Sequence, residues 1–387
     1  MKKITVLGNN SGRNAGDAAI LGNLLHDIAT LRKDIKFIVP TTNPAFIYKH
    51  FGQYNIKAVG LLPWFGAIKN FGIPMLKAML QADMVLITDN ILFDKSFYNP
   101  IFNNLLSISL YAPLCKKRGI PILLYNASVG PVRLPAAVKA LQRVMDASVL
   151  AILRDRQSEE LFQSLDLQYP EVIINADCAL NTVPPSDQRI DTIIQKEGLF
   201  RNPKGTIGFN INSYIKWTKD GVLQRNDFVK IIGEVLNNLI EELDVDIMYA
   251  VTQIMDYTIT RESLKYVKKP HRVKVIGNAD YTYQEITGLL KKVEVHAGLR
   301  THTLIFSAAV NTPMVCISSY PKSVGFMQSI KQDDWIVGVN DLSVANLSDL
   351  IIKAWHNREE TRTALKSIVP QEKIKARQSA EIISRLL

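Results

Sequence analysis

The sequence predicts an α/β protein of two Rossmann-like domains, each a parallel sheet covered by helices on both faces. Three observations predict it. A chain of 387 residues is too long for one ordinary core, so two domains of roughly 150 to 200 residues are expected. Short apolar runs alternate with helix-like segments, the pattern of strands buried on both faces. The alternation pauses over residues 181–204, where Pro184, Pro185 and Pro203 fall, and then restarts. On this reading the first domain spans 1–185, a linker 186–204 and the second domain 205–345. Helices at 346–387 would lie back across the first domain.

In the first domain, strands are expected at Ile4–Gly8, Ile35–Pro40, Ile56–Gly60, Met84–Thr88, Pro121–Asn126, Ser148–Leu153 and Val172–Ala176. Asp17 should open the first helix, because Ile20, Leu24, Ile28 and Leu31 share one face. The second domain should supply strands at Thr206–Asn212, Asp246–Thr252, Val273–Gly277, Val293–His296 and Met314–Ser319. Helices are expected near Phe228–Leu243, after Asp256, over Tyr283–Lys292 and over Thr301–Val310. The tail from Leu347 reads as helical.

Composition narrows the partners. With 46 Lys and Arg against 36 Asp and Glu the net charge is +10, which favours anionic ligands. The basic residues are scattered, Lys116-Lys117-Arg118 being the densest cluster, and no basic block interleaved with aromatics marks a nucleic-acid surface. No run approaches the roughly 18 apolar residues of a membrane span. The run Ile4–Leu7 is too short for the apolar core of a signal peptide, so a cytoplasmic protein is expected. Pro63–Leu80 carries Trp64, Phe65, Phe71 and Met75 among Lys69 and Lys77. It reads either as a peripheral contact with the inner membrane face or as a packed amphipathic helix broken at Pro74. Cys115, Cys178 and Cys316 lie far apart in apolar contexts, as reduced core thiols do. The six histidines are dispersed and no metal site is expected.

In doubly wound sheets, ligands bind at the carboxyl ends of strands. That singles out Asn14, Gly16 and Asp17 in the first loop, Asp89, Asn90 and Asp94 after the fourth strand, Ser128, Arg154 and Asp177. The first loop is neither a Walker loop nor a dinucleotide fingerprint, since its glycines at 8, 12 and 16 have the wrong spacing and no Gly-Lys-Ser/Thr follows. Asp17 reads equally as a helix cap. Asp244-Val245-Asp246 matches the Asp-x-Asp of metal-dependent glycosyltransferases, but solvated carboxylates commonly border strands. The most informative stretch is Gly298-Leu299-Arg300-Thr301-His302. There a permanent cation, a titratable imidazole and free backbone N–H groups could converge on one phosphate or carboxylate at a helix start.

Taken in order, Asn14-Ala15-Gly16-Asp17, Ala82-Asp83-Met84-Val85-Leu86-Ile87, Ser128-Val129-Gly130-Pro131, Arg154-Asp155-x-x-Ser158-x-x-Leu161, Asp177-Cys178-Ala179, Arg300-Thr301-His302 and Tyr320-Pro321-Lys322-Ser323-Val324-Gly325-Phe326 resemble the polysaccharide pyruvyl transferase family over most of residues 4–330. The resemblance implies a GT-B-like fold, two Rossmann-like domains with parallel sheets facing a central cleft. It also implies transfer of an enolpyruvyl unit from phosphoenolpyruvate to a sugar of a cell-surface polysaccharide precursor, such as an exopolysaccharide or capsule, as a pyruvate ketal. Phosphoenolpyruvate is then a co-substrate, with no cofactor, and the acceptor is a glycan or lipid-linked oligosaccharide. One departure stands out: Thr88-Asp89-Asn90 replaces the family's glycine-rich turn.

On the resemblance, Arg300, Arg154, Lys322 and Thr301 would bind the donor. His302 would act as general acid or phosphate partner, and Asp17 as base toward the acceptor hydroxyl. Asn14, Gly16, Asp89, Asn90, Asp94, Ser128 and Asp177 would line the acceptor side. The competing reading is a GT-B glycosyltransferase using a nucleotide sugar, which would share both domains and the anion-binding helix.

Overall fold

The computed structural model describes residues 1–61, 72–99, 103–213, 223–319 and 321–387. The chain divides into two compact units. The first comprises Met1–Gly12, Asp17–Cys178 and Lys373–Leu387, and the second Arg13–Gly16 and Ala179–Glu372.

In the first unit a parallel sheet runs in the order β3-β2-β1-β4-β5-β6-β7. Its strands are β1 (Lys2–Leu7), β2 (Ile35–Thr41), β3 (Ile56–Gly60), β4 (Met84–Ile87), β5 (Ile122–Ala127), β6 (Ser148–Leu153) and β7 (Val172–Ile174). β4 and β5 are buried along their whole length, as two-sided coverage demands. The helices are α1 (Ala15–Leu31), α2 (Pro44–Phe51), α3 (Ile73–Leu80), α4 (Asn104–Lys117), α5 (Pro135–Ala147) and α6 (Arg156–Ser164). Pro74 and Pro135 stand in the first turns of α3 and α5, where proline's missing N–H costs nothing. Pro74 therefore begins a helix rather than breaking one. Of the aromatic and basic stretch around it, Trp64, Phe65, Lys69 and Phe71 fall outside the described residues.

The second sheet repeats the arrangement, β10-β9-β8-β11-β12-β13, again all parallel. Its strands are β8 (Thr206–Asn210), β9 (Asp246–Val251), β10 (Val273–Gly277), β11 (Val295–Gly298), β12 (Met314–Ser318) and β13 (Ile336–Gly338). Around it lie α7 (Asp187–Glu197), α8 (Arg225–Glu242), α9 (Asp256–Leu264), α10 (Tyr283–Leu290), α11 (Thr301–Ala309), α12 (Pro321–Ser329) and α13 (Val344–His356). The last helix, α14 (Arg358–Leu386), belongs to the second unit up to Glu372 and to the first from Lys373. In the first unit Ser379 Oγ accepts from Asn126 Nδ2 at 3.1 Å and from Asn175 Nδ2 at 3.0 Å, which ties the tail to the ends of β5 and β7.

Three elements differ from expectation. α7 fills residues read as linker; Ser186 caps it, Gly198 ends it in the left-handed region, and Ile190 and Ile193 are buried. The three-residue edge strand β13 was not anticipated. α1 begins at Ala15, two residues before Asp17, and the Asn14 side chain accepts from Gly16 N at 2.9 Å. Asp17 is therefore a first-turn residue, not the cap. Among the described residues no helix is long and apolar enough to cross a membrane.

Candidate active site

Both sheets reverse their strand order once, and a doubly wound sheet opens a crevice at such a point. In the second unit the reversal lies between β8 and β11. Asn210 ends β8, and its Oδ1 accepts the backbone N–H of Arg300 at 3.0 Å, fixing the turn from β11 into α11. The Arg300 side chain folds onto Asp256. Nε donates to Oδ2 at 2.8 Å and Nη2 to Oδ1 at 2.9 Å, a two-pronged pair that holds the guanidinium in one plane. Asp256 is fully buried and also accepts from Ser213 N and Oγ, each at 2.9 Å.

The next helix joins the same place. Thr301 Oγ1 and Ser323 Oγ are 2.7 Å apart, so the N-terminal turns of α11 and α12 are stapled side by side, with Lys322 in the α12 turn. His302 stands in the first turn of α11 and presses on Gly16, where a Cβ would lie 2.2 Å from Nδ1 of the imidazole. Gly16 is held there by its neighbours: Ala15 N donates to Thr252 O at 2.8 Å, and Arg13 O accepts from Ile254 N and Asn278 Nδ2. Arg300, His302 and the N-terminal turns of α11 and α12 thus lie on adjoining segments at this switch point, and helix N-termini favour anions.

In the first unit the reversal lies between β1 and β4. Asp89, in the left-handed region at φ 60°, follows β4, and its Oδ2 accepts from Asn9 N at 2.8 Å. Asp89 thus occupies the backbone geometry of a glycine in the turn it replaces. Its other oxygen, with Asn10 Oδ1 and Asn90 Oδ1, is buried without a hydrogen-bond partner among the described residues. Burial, then the charge of Asp17, push the Asp89 carboxyl well above the usual range, against the pull of the Asn9 N–H and Arg154.

Arg154 at the end of β6 pairs with Asp177 at 2.6 Å, both side chains being more than nine-tenths buried, and donates to Ser128 Oγ at 2.7 Å. Burial works against this cation, but Asp177, Asp155 and Asp89 outweigh it and raise its pKa. Ser128 in turn donates to Asp155, which caps α6 by accepting from Ser158 N at 2.9 Å. Ser158 Oγ accepts from Val129 N at 2.8 Å, and Leu161 packs where a Cβ on Gly130 would stand. Two motifs that are separate in the sequence, Ser128–Pro131 and Arg154–Leu161, are therefore one clasp across the ends of β5 and β6.

The model of one protein family, polysaccharide pyruvyl transferase, matches residues 14–320. The chain belongs to the polysaccharide pyruvyl transferase family. It is accordingly a transferase. Over 405 aligned residues it is 22% identical to the amylovoran biosynthesis protein AmsJ of Erwinia amylovora, with 96% of each chain covered. Among solved structures, the UDP-GlcNAc 2-epimerase of Neisseria meningitidis superposes with a TM-score of 0.67 at 12% identity, covering all of both chains. Anabaena HepE, in complex with UDP and glucose, gives 0.64 at 13% identity, with 100% of this chain and 99% of that one covered. At such identities the likeness is one of fold, and the fold is GT-B-like.

The transferase's candidate residues therefore fall into two groups. Arg300, Thr301, His302, Lys322, Asn14 and Gly16 lie in the second unit, while Asp17, Asp89, Asn90, Ser128, Arg154 and Asp177 lie in the first. Arg154, expected among the donor ligands, lies in the first unit, bonded to Asp177 and Ser128. Asp94, expected to face a ligand, accepts from Arg133 N and Leu134 N at 2.5 and 2.9 Å and anchors the approach to α5. Asp244 and Asp246 sit at the amino end of β9, the end away from the crevice, where Arg272 pairs with both. The three cysteines are buried, and burial raises Cys115 to about 11 and Cys316 to about 12. Sequence reasoning missed Asp256 and Ser323, each of which matters through a partner more than 20 residues away, and Asn10, whose Oδ1 is buried without a partner among the described residues.

Proposed function

We propose that this transferase moves an enolpyruvyl unit from phosphoenolpyruvate onto two hydroxyls of a sugar in a polysaccharide precursor, forming a cyclic pyruvate ketal. The observation that carries the reading is the placement of Arg300, His302 and the stapled N-termini of α11 and α12 on adjoining segments at the switch point of the second sheet. Phosphoenolpyruvate presents a phosphate and a carboxylate, and fixed cations with backbone N–H donors suit both. The bond-making is simple to balance. The methylene carbon gains a proton, the central carbon gains a sugar oxygen, phosphate leaves with its bridging oxygen, and the second hydroxyl closes the ring as it loses its proton. His302 would protonate the methylene or the departing phosphate, since an imidazole can give and recover a proton near neutrality. Asp17 would take the hydroxyl proton. Asn10 Oδ1 and Asn90 Oδ1, buried without a partner among the described residues, supply acceptors of the kind sugar hydroxyls seek, and Asp89, when protonated, supplies a donor. The AmsJ relative, named for amylovoran biosynthesis, agrees with a polysaccharide acceptor.

The test is phosphate release from phosphoenolpyruvate in the presence of a lipid-linked glycan extract, alongside titration with nucleoside diphosphates. Glycan-dependent release that vanishes in His302→Ala, with the thermal transition retained, is the expected result. Tight diphosphate binding with no response to phosphoenolpyruvate would overturn it in favour of a nucleotide-sugar glycosyltransferase.

A further inference from the structure

The helical layer over one face of the first sheet is chemically lopsided. α3, α4 and α5 bury Met75, Met79, Ile108, Ala112, Leu141 and Val144 against the sheet. Their outer surface nevertheless leaves large apolar side chains in water: Ile73 is 41% exposed, Leu110 53%, Leu114 43% and Leu134, just ahead of α5, 43%. α4 packs beside both α3 and α5. Leu110 and Leu114 are one turn apart on α4, and Lys117 continues their stripe in the next turn. Residues 103–147 carry six Lys and Arg but a single acidic side chain, Asp146. Lys116 Nζ donates to the Asp146 carbonyl at 2.5 Å, tying the ends of α4 and α5 together, and Lys117 and Arg118 at the end of α4 and Lys139 and Arg143 on α5 stand exposed.

We infer that this face docks on an anionic lipid bilayer, its leucines and Ile73 entering the headgroup region and its basic rim resting on acidic headgroups. Exposed apolar residues on a segment with six Lys and Arg against one carboxylate match that surface in both chemistry and sign, further carboxylates, Asp166 and Glu171, standing on the segment whose Gln168 bonds to Gln142 of α5. A second copy of the chain fits poorly, because a two-fold contact through this face would bring together the Lys and Arg of both copies with only Asp146 of α4 and α5 in each to answer them. The inference does not depend on which donor the transferase uses.

The test is co-sedimentation of the full chain with vesicles of phosphatidylcholine alone and of phosphatidylcholine mixed with phosphatidylglycerol. Binding is expected on the mixed vesicles only, weakening as salt is added. Lys117→Ala and Arg143→Ala should each lower the partition coefficient about fivefold, the equivalent of about 1 kcal/mol per surface cation. Leu110→Ser with Leu114→Ser should lower it at unchanged charge, and Lys230→Ala on α8 of the second unit should not. Failure to bind the mixed vesicles overturns the proposal. So does an equal loss in Lys230→Ala, which would mean diffuse charge attraction. A concentration-dependent dimer abolished by the leucine changes, with indifference to vesicles, would assign the face to a second copy and overturn it too.

Discussion

Replacing Asp256 with alanine probes the part of the site that the sequence did not disclose. The change leaves the Arg300 guanidinium, only 17% exposed, without its carboxylate and removes the acceptor of Ser213 N and Oγ. Breaking a buried ion pair by deleting one partner costs about 3–5 kcal/mol, and the residual hydration of Arg300 places this case at the lower end. For a domain of this size about 3 kcal/mol corresponds to roughly 6–12 °C in the thermal transition. Arg300→Ala strands the opposite charge, on a carboxylate with no exposure at all, and should cost at least as much. Arg300→Ala is therefore a poor probe of donor binding taken alone, since stability and turnover would fall together. The informative measurement is the double-mutant cycle. Each single variant strands a charge that the double variant does not contain, so the double loss should fall short of the sum by about 2 kcal/mol or more. Urea titrations of the four proteins supply the numbers. Losses that add within about 0.5 kcal/mol would refute the claim that Asp256 holds Arg300 in place.

Gly16→Ala should lower kcat/KM at least about tenfold, because the new Cβ collides with the His302 ring, even though alanine favours a helix by about 1 kcal/mol; unchanged kinetics would mean the imidazole need not seat there. Asp89→Asn should flatten the dependence of stability on pH. A carboxyl whose folded pKa is raised contributes stability that is fully present below its unfolded value, about 3.9, and is lost as pH rises through the folded value. Thermal transitions followed from acidic to alkaline pH should therefore fall more steeply in the wild type, and parallel curves would contradict the burial argument. Asp94→Ala should cost about 1–2 kcal/mol through the loss of its two backbone contacts while leaving turnover nearly intact. Lost turnover at full stability would return Asp94 to the substrate.

Most strands were legible because a parallel sheet buries both faces and writes continuous apolar runs, as at Met84–Ile87 and Ser148–Leu153. β13 escaped because three residues at a sheet edge carry too little pattern, and α7 because a mostly polar helix after two prolines looks like a connector. The site was legible one residue at a time but not in its pairings. Asp256 reads as the start of a helix, and it is; nothing local indicates that its carboxylate turns to an arginine 44 positions later. Arg154 likewise reads as a cation open to ligand until Asp177 is found against it.

The pairings also explain why each motif alone was so weak a signal. Ser128 is needed because Arg154 and Asp155 both bond to it, Gly130 because Leu161 fills its space, and Ser323 because Thr301 meets it. Each short motif is thus half of a contact whose other half lies on a neighbouring strand end, and only the ordered set specifies two preorganised crevices. The second unit's crevice holds Arg300 against Asp256, with His302 and Lys322 in the adjoining helix turns, whereas the first sets Asp177, Asp155 and Asp89 around Arg154. Arg300 and Arg154 each have a carboxylate partner built in, so the geometry of each crevice is set by its own ion pair. Thr88-Asp89-Asn90, in place of open backbone, brings a left-handed Asp89 and buried side-chain oxygens to the first crevice, so the departure changes the polar lining there.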